Sequence, residues 1–263
     1  MLKKLLKYDL KSIFKFLSVF YILGILSAII TRIFLSINDS FVCEIIGKIC
    51  SGITISMIAN ILINNIMRVW VRFRNNLYGD ESYLTHTLPV ERKLLYQSKF
   101  LMSIISMLVS ALVIILIIFI AYYDQMKFTF LKDVLTNISK AYNMSIFEII
   151  FDFLAIFSLE MICIIQAGYT GMILGHRKNS NKIVYSVIIG VVTYLVSQMI
   201  TLLFLFVAGI FDKNIMLLFT SNNLSSASLI TKIIYIAMVA YLSLLVIYYI
   251  FNKRTFNKGV NVE

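Results

Sequence analysis

Long apolar stretches set the pattern of this chain, and polar residues collect in the shorter segments between them. An unbroken membrane span needs about 20 mostly apolar residues, because each residue adds about 1.5 Å of helix against a hydrocarbon core of roughly 30 Å. Stretches of that length lie near Phe16 to Leu35, Ile45 to Met67, Phe100 to Tyr123, Ile146 to Leu174, Ile183 to Phe211 and Ile230 to Phe251. The pattern predicts one all-α domain over residues 1–263, a polytopic membrane protein with six transmembrane helices.

Residues 1–15 follow a different pattern, with a helical period. Apolar side chains recur every three or four positions, while Lys3, Lys7, Lys11 and Lys15 fall on the other face. Such an amphipathic helix lies in the plane of a membrane surface, with its lysines toward lipid phosphates. We therefore predict an N-terminal interfacial helix that binds membrane lipids. The alternative is that these residues simply begin the first span.

Composition and charge support a membrane protein and set its orientation. The chain is 60% hydrophobic and 14% charged, unlike a soluble domain. Its net charge is +11, but the cations form short groups beside apolar stretches, so we expect no nucleic-acid binding. Seventeen of the 24 lysines and arginines lie on alternate connections, in residues 1–15, 68–99, 177–182 and 253–258. Because cations are retained in the cytoplasm, both termini are predicted to face it.

The longest connection on that side contains the only proline of the chain. Gly79 permits a sharp turn, Asp80 can cap a following helix, Glu81 suits the positive end of that helix, and Pro89 ends it. The intervening segment SYLTHTL is predicted to form about two helical turns.

One side of this short helix is predicted to be an apolar ridge, formed by Tyr83, Leu84, Thr87 and Leu88. A helix of this kind fits into a groove on another protein. The alternative is a loop that only rests on the bilayer.

The string YGDESYLTHTLPVERKLLYQSK, residues 78–99, resembles a loop in permease subunits of ATP-binding-cassette type-2 exporters from Gram-positive bacteria. In that family GDE, YL, TLPV and SK recur between the second and third spans, and the N-terminal helix and six spans are also similar. The resemblance implies a coupling helix that sits in a cleft of an ATPase subunit. The residues that it assigns to this coupling are Asp80, Glu81, Tyr83, Leu84, His86, Thr87, Leu88 and Pro89.

The resemblance also implies partners and a location. A second permease chain, the same or different, and two ATPase subunits would complete an exporter in a bacterial cell membrane. Its cargo would be amphipathic peptides, antimicrobials or other membrane-active compounds. The chain has no GxxxxGKS or GxxxxGKT motif, so ATP and Mg²⁺ would bind the partner and no cofactor is expected here.

No catalytic or metal site is predicted. The chain lacks GxSG and HExxH motifs, and neither His86 nor His176 has carboxylates at ligand spacing. We interpret His176 as part of a short basic turn. The three cysteines, Cys43, Cys50 and Cys163, are interpreted as small apolar residues.

Three carboxylates lie in the fourth apolar stretch. At about 100° per residue, Glu148, Asp152 and Glu160 fall within an arc of about 120°. Ionisable groups at membrane depth are costly and mark a pathway or a buried partner. We predict that they line a translocation path or latch helices together. The alternative is a longer outer helix in which Glu160 is protonated or paired.

Two other features concern packing and the last connection. Small and polar residues that line one side of the fifth stretch predict close helix packing; they are Ser186, Gly190, Thr193, Ser197 and Thr201.

The family resemblance implies a re-entrant hairpin within residues 204–228, for which an extracellular loop is the alternative.

Two other function classes stay open from the sequence. In a secondary transporter or channel, Asp152 and Glu160 would bind ions or protons. A peptide-immunity or sensor component would bind a peptide at the membrane without transporting it.

Overall fold

The computed structural model describes residues 1–37, 41–123, 133–140, 144–212, 214–216 and 227–258. Within these ranges all regular structure is helical, so the all-α prediction is confirmed. The helices are α1 (Leu2–Ser36), α2 (Phe41–Leu77), α3 (Ser82–Thr87), α4 (Arg92–Tyr122), α5 (133–140), α6 (Ile146–Gly175), α7 (Lys182–Phe211) and α8 (Ala227–Asn257).

Five of these helices are long and apolar enough to cross a membrane. They are α1, α2, α4, α7 and the Leu229–Asn257 part of α8. This is the architecture of a multi-pass helical membrane protein. The fourth predicted span is helical, as α6, but it does not belong to these five. Its buried residues include the polar side chains of Asp152, Gln166 and Thr170. The count of six spans therefore stays a prediction.

The described residues form two compact units, and the first comprises Met1–Asn75 and Leu94–Leu131. It contains α1, most of α2 and nearly all of α4. Apolar contacts and close approach hold these helices together: Ala28, Ile61 and Ile117 share one buried cluster. A Cβ atom on Gly24 would lie only 2.6 Å from Cδ1 of Ile117, so only glycine fits this crossing without a shift.

Polar side chains also join the helices of this unit. The Thr31 and Thr54 hydroxyls are 2.9 Å apart between α1 and α2. Asn65 of α2 donates to the Ser110 hydroxyl and to the Ser106 carbonyl of α4, at 2.6 and 2.9 Å. Hydrogen bonds of this kind supply association energy where lipid provides no hydrophobic drive.

The first turns of the chain differ from the prediction in one respect. Residues 1–15 are not a separate helix, because α1 runs without interruption from Leu2 to Ser36. Their inner face carries Asp9, which is buried and accepts hydrogen bonds from Lys99 and Arg72. An ionic contact at Asp9 and apolar packing at Ile13 therefore fix these turns in unit 1 together. The sequence pattern had predicted only an apolar face. Their position at a membrane surface stays a prediction.

The second unit comprises Asn76–Lys93 and Lys132–Glu263. It contains α3 together with α5, α6, α7 and α8. Close packing of α6 on α7 depends on Gly171 and Gly175, where a Cβ atom would lie 2.4 Å from the Ser186 carbonyl oxygen and 2.3 Å from the Ser186 hydroxyl. Ser186, Ser197 and Thr201 of α7 are buried. The predicted small-residue side of the fifth stretch is thus a packing surface.

A mixed cluster of α6 and α8 residues forms the interior of this unit. Cys163 and Ala167 pack with Tyr241, Leu244 and Tyr248. All three cysteines are free; Cys163 is buried, and Cys43 and Cys50 of the first unit are half-buried. The hairpin predicted within residues 204–228 begins inside α7 and otherwise lies largely outside the described residues.

Candidate functional site

The short helix α3 lies where the polar connection was predicted to form one. Beyond α2, the Ser82 amide donates to the Gly79 carbonyl over 2.8 Å, which closes the turn. The helix ends at Thr87, and Leu88 is extended, with ψ of 138°. A residue before proline avoids the helical region, so Pro89 accounts for this end.

One side of α3 is exposed, and we call it the α3 ridge. It consists of Tyr83, Leu84, Thr87 and Leu88. Tyr83 is 68% exposed and Leu84 is 75% exposed, values that are high for large apolar side chains. The chain thus presents a small apolar surface at a polar connection, as the spacing predicted.

The opposite side of α3 is anchored within the second unit. Ser82 and Thr85 are buried, and the Thr85 hydroxyl donates to the Glu81 carbonyl at 3.0 Å. His86, which the family resemblance had placed among the partner contacts, is only half exposed. Its Nε2 atom is 3.1 Å from the Leu77 carbonyl oxygen, and its ring lies 6.5 Å from that of Phe256. His86 therefore lies on the anchoring side of α3, and its assignment as an ATPase-coupling residue stays a prediction.

The two acidic residues before α3 have different roles. Glu81 occupies the N-cap position, and its Oε2 accepts a hydrogen bond from Asn76 at 3.1 Å, which ties the turn to the last residues of α2. Asp80, which was predicted to cap the helix, is exposed and precedes the cap. That prediction is wrong by one residue: α3 begins at Ser82, as the sequence predicted, but Glu81 and not Asp80 occupies the N-cap position.

A buried aromatic cluster holds the turn that leads into α3. Tyr78 stacks on His176 with ring centroids 4.3 Å apart and meets the edge of Phe256 at 6.4 Å. All three side chains are buried. Burial raises the pKa of the Tyr78 hydroxyl, and the nearby Arg177 opposes this with a smaller effect. Tyr78 is therefore held in its neutral form.

His176 and Arg177 position this cluster from the turn after α6. His176 Nδ1 is 2.9 Å from the Met172 carbonyl oxygen and 3.3 Å from the Ser186 hydroxyl. Arg177 donates through Nη2 to the Thr255 carbonyl at 2.6 Å, which ties the turn to the end of α8. His176 thus lies in the short basic turn, as interpreted from the sequence, and it is in addition a buried anchor of the aromatic cluster.

The three carboxylates of α6 have separate surroundings. Glu148 is exposed and forms a capping box with Ser145: its Oε2 accepts from the Ser145 amide at 2.7 Å. Asp152 is only 4% exposed and accepts a hydrogen bond from the Tyr235 hydroxyl of α8. Glu148 also lies near enough to Tyr235 to act on it electrostatically, so these two carboxylates lie near one tyrosine of α8, whereas Glu160 has other neighbours.

Glu160 lies in a polar group between α6, α7 and α8. Its carboxylate is hydrogen-bonded to the Tyr194 hydroxyl of α7, beside Gln198. The Tyr241 hydroxyl of α8 reaches Gln198 Oε1 at 3.5 Å. This arrangement fits the helix-latch alternative for Glu160, because Tyr194 joins it to α7 and the neighbouring contact of Tyr241 with Gln198 joins α8 to α7.

No group of three or more His, Cys, Asp and Glu side chains in the described ranges is arranged to hold a metal ion. The geometry of the second unit instead offers a binding surface, the α3 ridge, supported by an aromatic anchor. Comparisons with protein-family models, with curated proteins and with solved structures found no match to this chain.

Proposed function

We propose that this chain is the membrane-spanning permease subunit of an ATP-driven exporter of the ATP-binding-cassette type-2 class. It works with a second permease chain and with separate ATPase subunits that hold ATP and Mg²⁺. Its cargo is an amphipathic peptide, an antimicrobial or another membrane-active compound. It lies in a bacterial cell membrane, with six spans that include α6 and with both termini in the cytoplasm.

One observation carries this proposal: the α3 ridge is exposed while the rest of the same helix is anchored. An isolated six-residue helix is not stable in water, so its form depends on the packing of Ser82, Thr85 and His86. A helix anchored on one side and apolar on the other is suited to bind in a groove on a partner protein. The resemblance of residues 78–99 to permease coupling loops supports the ATPase as that partner.

Force would pass from the ATPase through this anchor. Tyr78 and His86 contact Phe256 near the end of α8, and Tyr78 contacts His176 just after α6. Displacement of α3 is therefore transmitted to the ends of α6 and α8. The latch between Glu160 and Tyr194 then joins α6 to α7.

Co-purification tests the proposal. The neighbouring genes are first searched for one that encodes a stand-alone ATPase with a phosphate-binding loop. The tagged full chain is then co-expressed with that ATPase, and the ATPase retained is quantified. Leu84→Asp and Leu88→Asp should lower retention by about tenfold or more, because each places a charge in a contact that a buried leucine stabilises by roughly 1.5–3 kcal/mol.

Two control variants distinguish the ridge from a general loss of structure. Leu84→Met keeps an apolar side chain of similar volume and should retain the ATPase. Asn75→Asp adds the same charge at an exposed position outside α3 and should also retain it. Normal retention in both ridge variants would contradict the coupling assignment.

A second function, ion-coupled transport, is favoured by one buried and one half-buried carboxylate of α6. Asp152 is almost fully buried, and Glu160 lies among tyrosine and glutamine side chains of α7 and α8. Such groups also bind protons or cations in secondary transporters and channels. Transport by the purified chain in liposomes, driven by an ion gradient without nucleotide and abolished by Glu160→Gln, would favour this function over the exporter.

A further inference from the structure

The first four turns of α1 carry a dense group of exposed cations, independent of the α3 ridge. We call the exposed side chains of Lys3, Lys4, Lys7, Lys11 and Lys15 the lysine face. At about 100° per residue these lysines fall within an arc of about 120°. Like charges this close repel one another unless an anion lies beside them.

The acidic residue in these turns does not neutralise that face. Asp9 projects about 180° from the centre of the lysine arc, and it is only 4% exposed. Its Oδ1 accepts from Lys99 Nζ at 2.6 Å and from Arg72 Nε at 3.3 Å, and its Oδ2 accepts from the Ser98 hydroxyl at 2.9 Å. The carboxylate is thus engaged by α2 and α4, inside the unit.

This engagement also sets the rotation of the helix. Asp9, Ile13 and Leu17 form the buried line of α1, so the lysines must point away from α2 and α4. The guanidinium of Arg68 on α2 lies 5.0 Å from the centre of the Phe16 ring. Phe16 is about two turns beyond Asp9 on the same side of α1, so this contact supports the same rotation. The lysine face is consequently an outward surface held in place by contacts on its opposite side.

Length places the nearer lysines beside a bilayer surface. The 35 residues of α1 extend about 52 Å, roughly 20 Å more than a hydrocarbon core. If the apolar part of α1 crosses the core, Lys15 adjoins the boundary and Lys11 and Lys7 lie about 6 and 12 Å beyond it along the helix. That distance is comparable to the headgroup layer and to one Debye length.

We propose that the lysine face binds anionic phospholipid headgroups, and that Asp9 is the residue that orients it toward them. The shared chemistry is lysine ammonium with phosphate. A headgroup layer has depth as well as breadth, so it can offer phosphates to more than one lysine of this row at the same time, which a single small anion cannot do.

Native mass spectrometry of the full chain tests this proposal. The protein is equilibrated with equal amounts of phosphatidylglycerol and phosphatidylcholine in mixed micelles, and the bound lipids are counted. The wild type should retain phosphatidylglycerol preferentially. Replacement of Lys7, Lys11 and Lys15 by glutamine should lower the ratio of bound phosphatidylglycerol to phosphatidylcholine at least about tenfold, since each cation near a surface contributes about fivefold.

Matched variants separate charge from structure. The same three positions changed to arginine should keep the ratio, and Lys48→Gln, which removes a cation paired with Glu44 on α2, should leave it unchanged. Lys11→Gln alone should give a smaller loss, so the test does not depend on the folding of the triple variant. An unchanged ratio in the triple glutamine variant, or a loss in the arginine variant, would overturn the proposal.

A final arm distinguishes lipid from a free anion. Inorganic phosphate and sodium chloride are added at equal ionic strength. Equal displacement of the lipid by both salts is expected for a membrane-surface contact. Selective displacement by phosphate would overturn the lipid assignment and show a site for a free anion.

Discussion

Two buried clusters, one in each unit, anchor peripheral segments of the chain by opposite means. In the first unit Asp9 is held by the cations of Lys99 and Arg72, with side chains 2% and 17% exposed. In the second unit Tyr78, His176 and Phe256 contact one another through ring faces and edges. An ionic cluster depends on every charge having its partner, whereas an aromatic cluster depends on filled volume.

The difference teaches which segment each cluster is suited to hold. A buried ion is costly unless its partner is in place. An ionic cluster therefore favours the one helix rotation that pairs every charge, and it is destabilised strongly when one partner is removed. An aromatic cluster requires no buried ion to keep its partner, and because its volume is filled, a displacement of one ring moves the rings that it contacts. The first arrangement suits the fixed lysine face of α1, and the second suits a helix proposed to transmit motion.

Asp9→Asn should have the largest effect on stability. The substitution leaves Lys99 and Arg72 beside a neutral amide in a buried site, and breaking such a cluster costs about 3–5 kcal/mol. Unfolding of the full chain by SDS in mixed micelles should therefore shift to much lower denaturant. Asp80→Asn, the same chemical change at an exposed carboxylate, should leave the transition in place.

A double-mutant cycle tests the ionic interpretation. Asp9→Asn combined with Lys99→Gln should recover part of the lost stability, because it removes an unpaired buried cation. If the two changes add without coupling, the cluster holds α1 by packing alone and the contrast between the units fails.

The sequence predicts local features of these regions well. The α3 ridge follows from spacing within six residues, and the turn and the helix end follow from Gly79 and Pro89. These features depend on neighbours in the chain, so the pattern contains the information. Asp80 was misplaced because which of two adjacent acidic residues becomes the cap depends on the contacts of the turn.

Long-range partners could not be predicted in the same way. Tyr78 is one of 15 tyrosines, and nothing in its neighbourhood indicates His176 or Phe256 as partners. Asparagines of α2 show the same limit: Asn65 reaches α4, while Asn60 and Asn64 donate to carbonyls of their own helix. Which of these asparagines reaches α4 depends on the rotation of α2 about its own axis, and the helical period alone does not fix that rotation.

Phe256→Ala should have the next largest effect and should act on the aromatic cluster. Truncation of a fully buried phenylalanine costs about 3–4 kcal/mol through lost contacts and the cavity that remains. Because the cavity adjoins Tyr78 and His86, the connection that carries α3 should open more often. Tryptic cleavage after Arg92 or Lys93, which are both exposed, measures this opening.

The matched control is Phe251→Ala, five residues earlier on α8. Phe251 is partly exposed, so its truncation should change the cleavage rate little. Equal acceleration in both variants would mean that α8 is generally loosened and that Phe256 has no special role in anchoring the connection.

Tyr78→Phe should have the smallest effect at neutral pH and a distinctive effect in alkali. The ring and its stacking on His176 are kept, so we expect a loss of under about 1 kcal/mol at pH 8. Burial raises the pKa of the Tyr78 hydroxyl above its ordinary value near 10. As the pH rises, the Tyr78 hydroxyl therefore loses its proton in the unfolded chain before it does so in the folded chain. Its contribution to the free energy of unfolding is complete below about pH 10 and declines as the pH rises further. In SDS titrations between pH 8 and 11 the wild type should lose more stability than Tyr78→Phe, while Tyr83→Phe, at an exposed position, should follow the wild type. If stability fell equally with pH in all three proteins, the Tyr78 hydroxyl would be accessible to water, and the aromatic cluster would not disfavour the charged form of Tyr78.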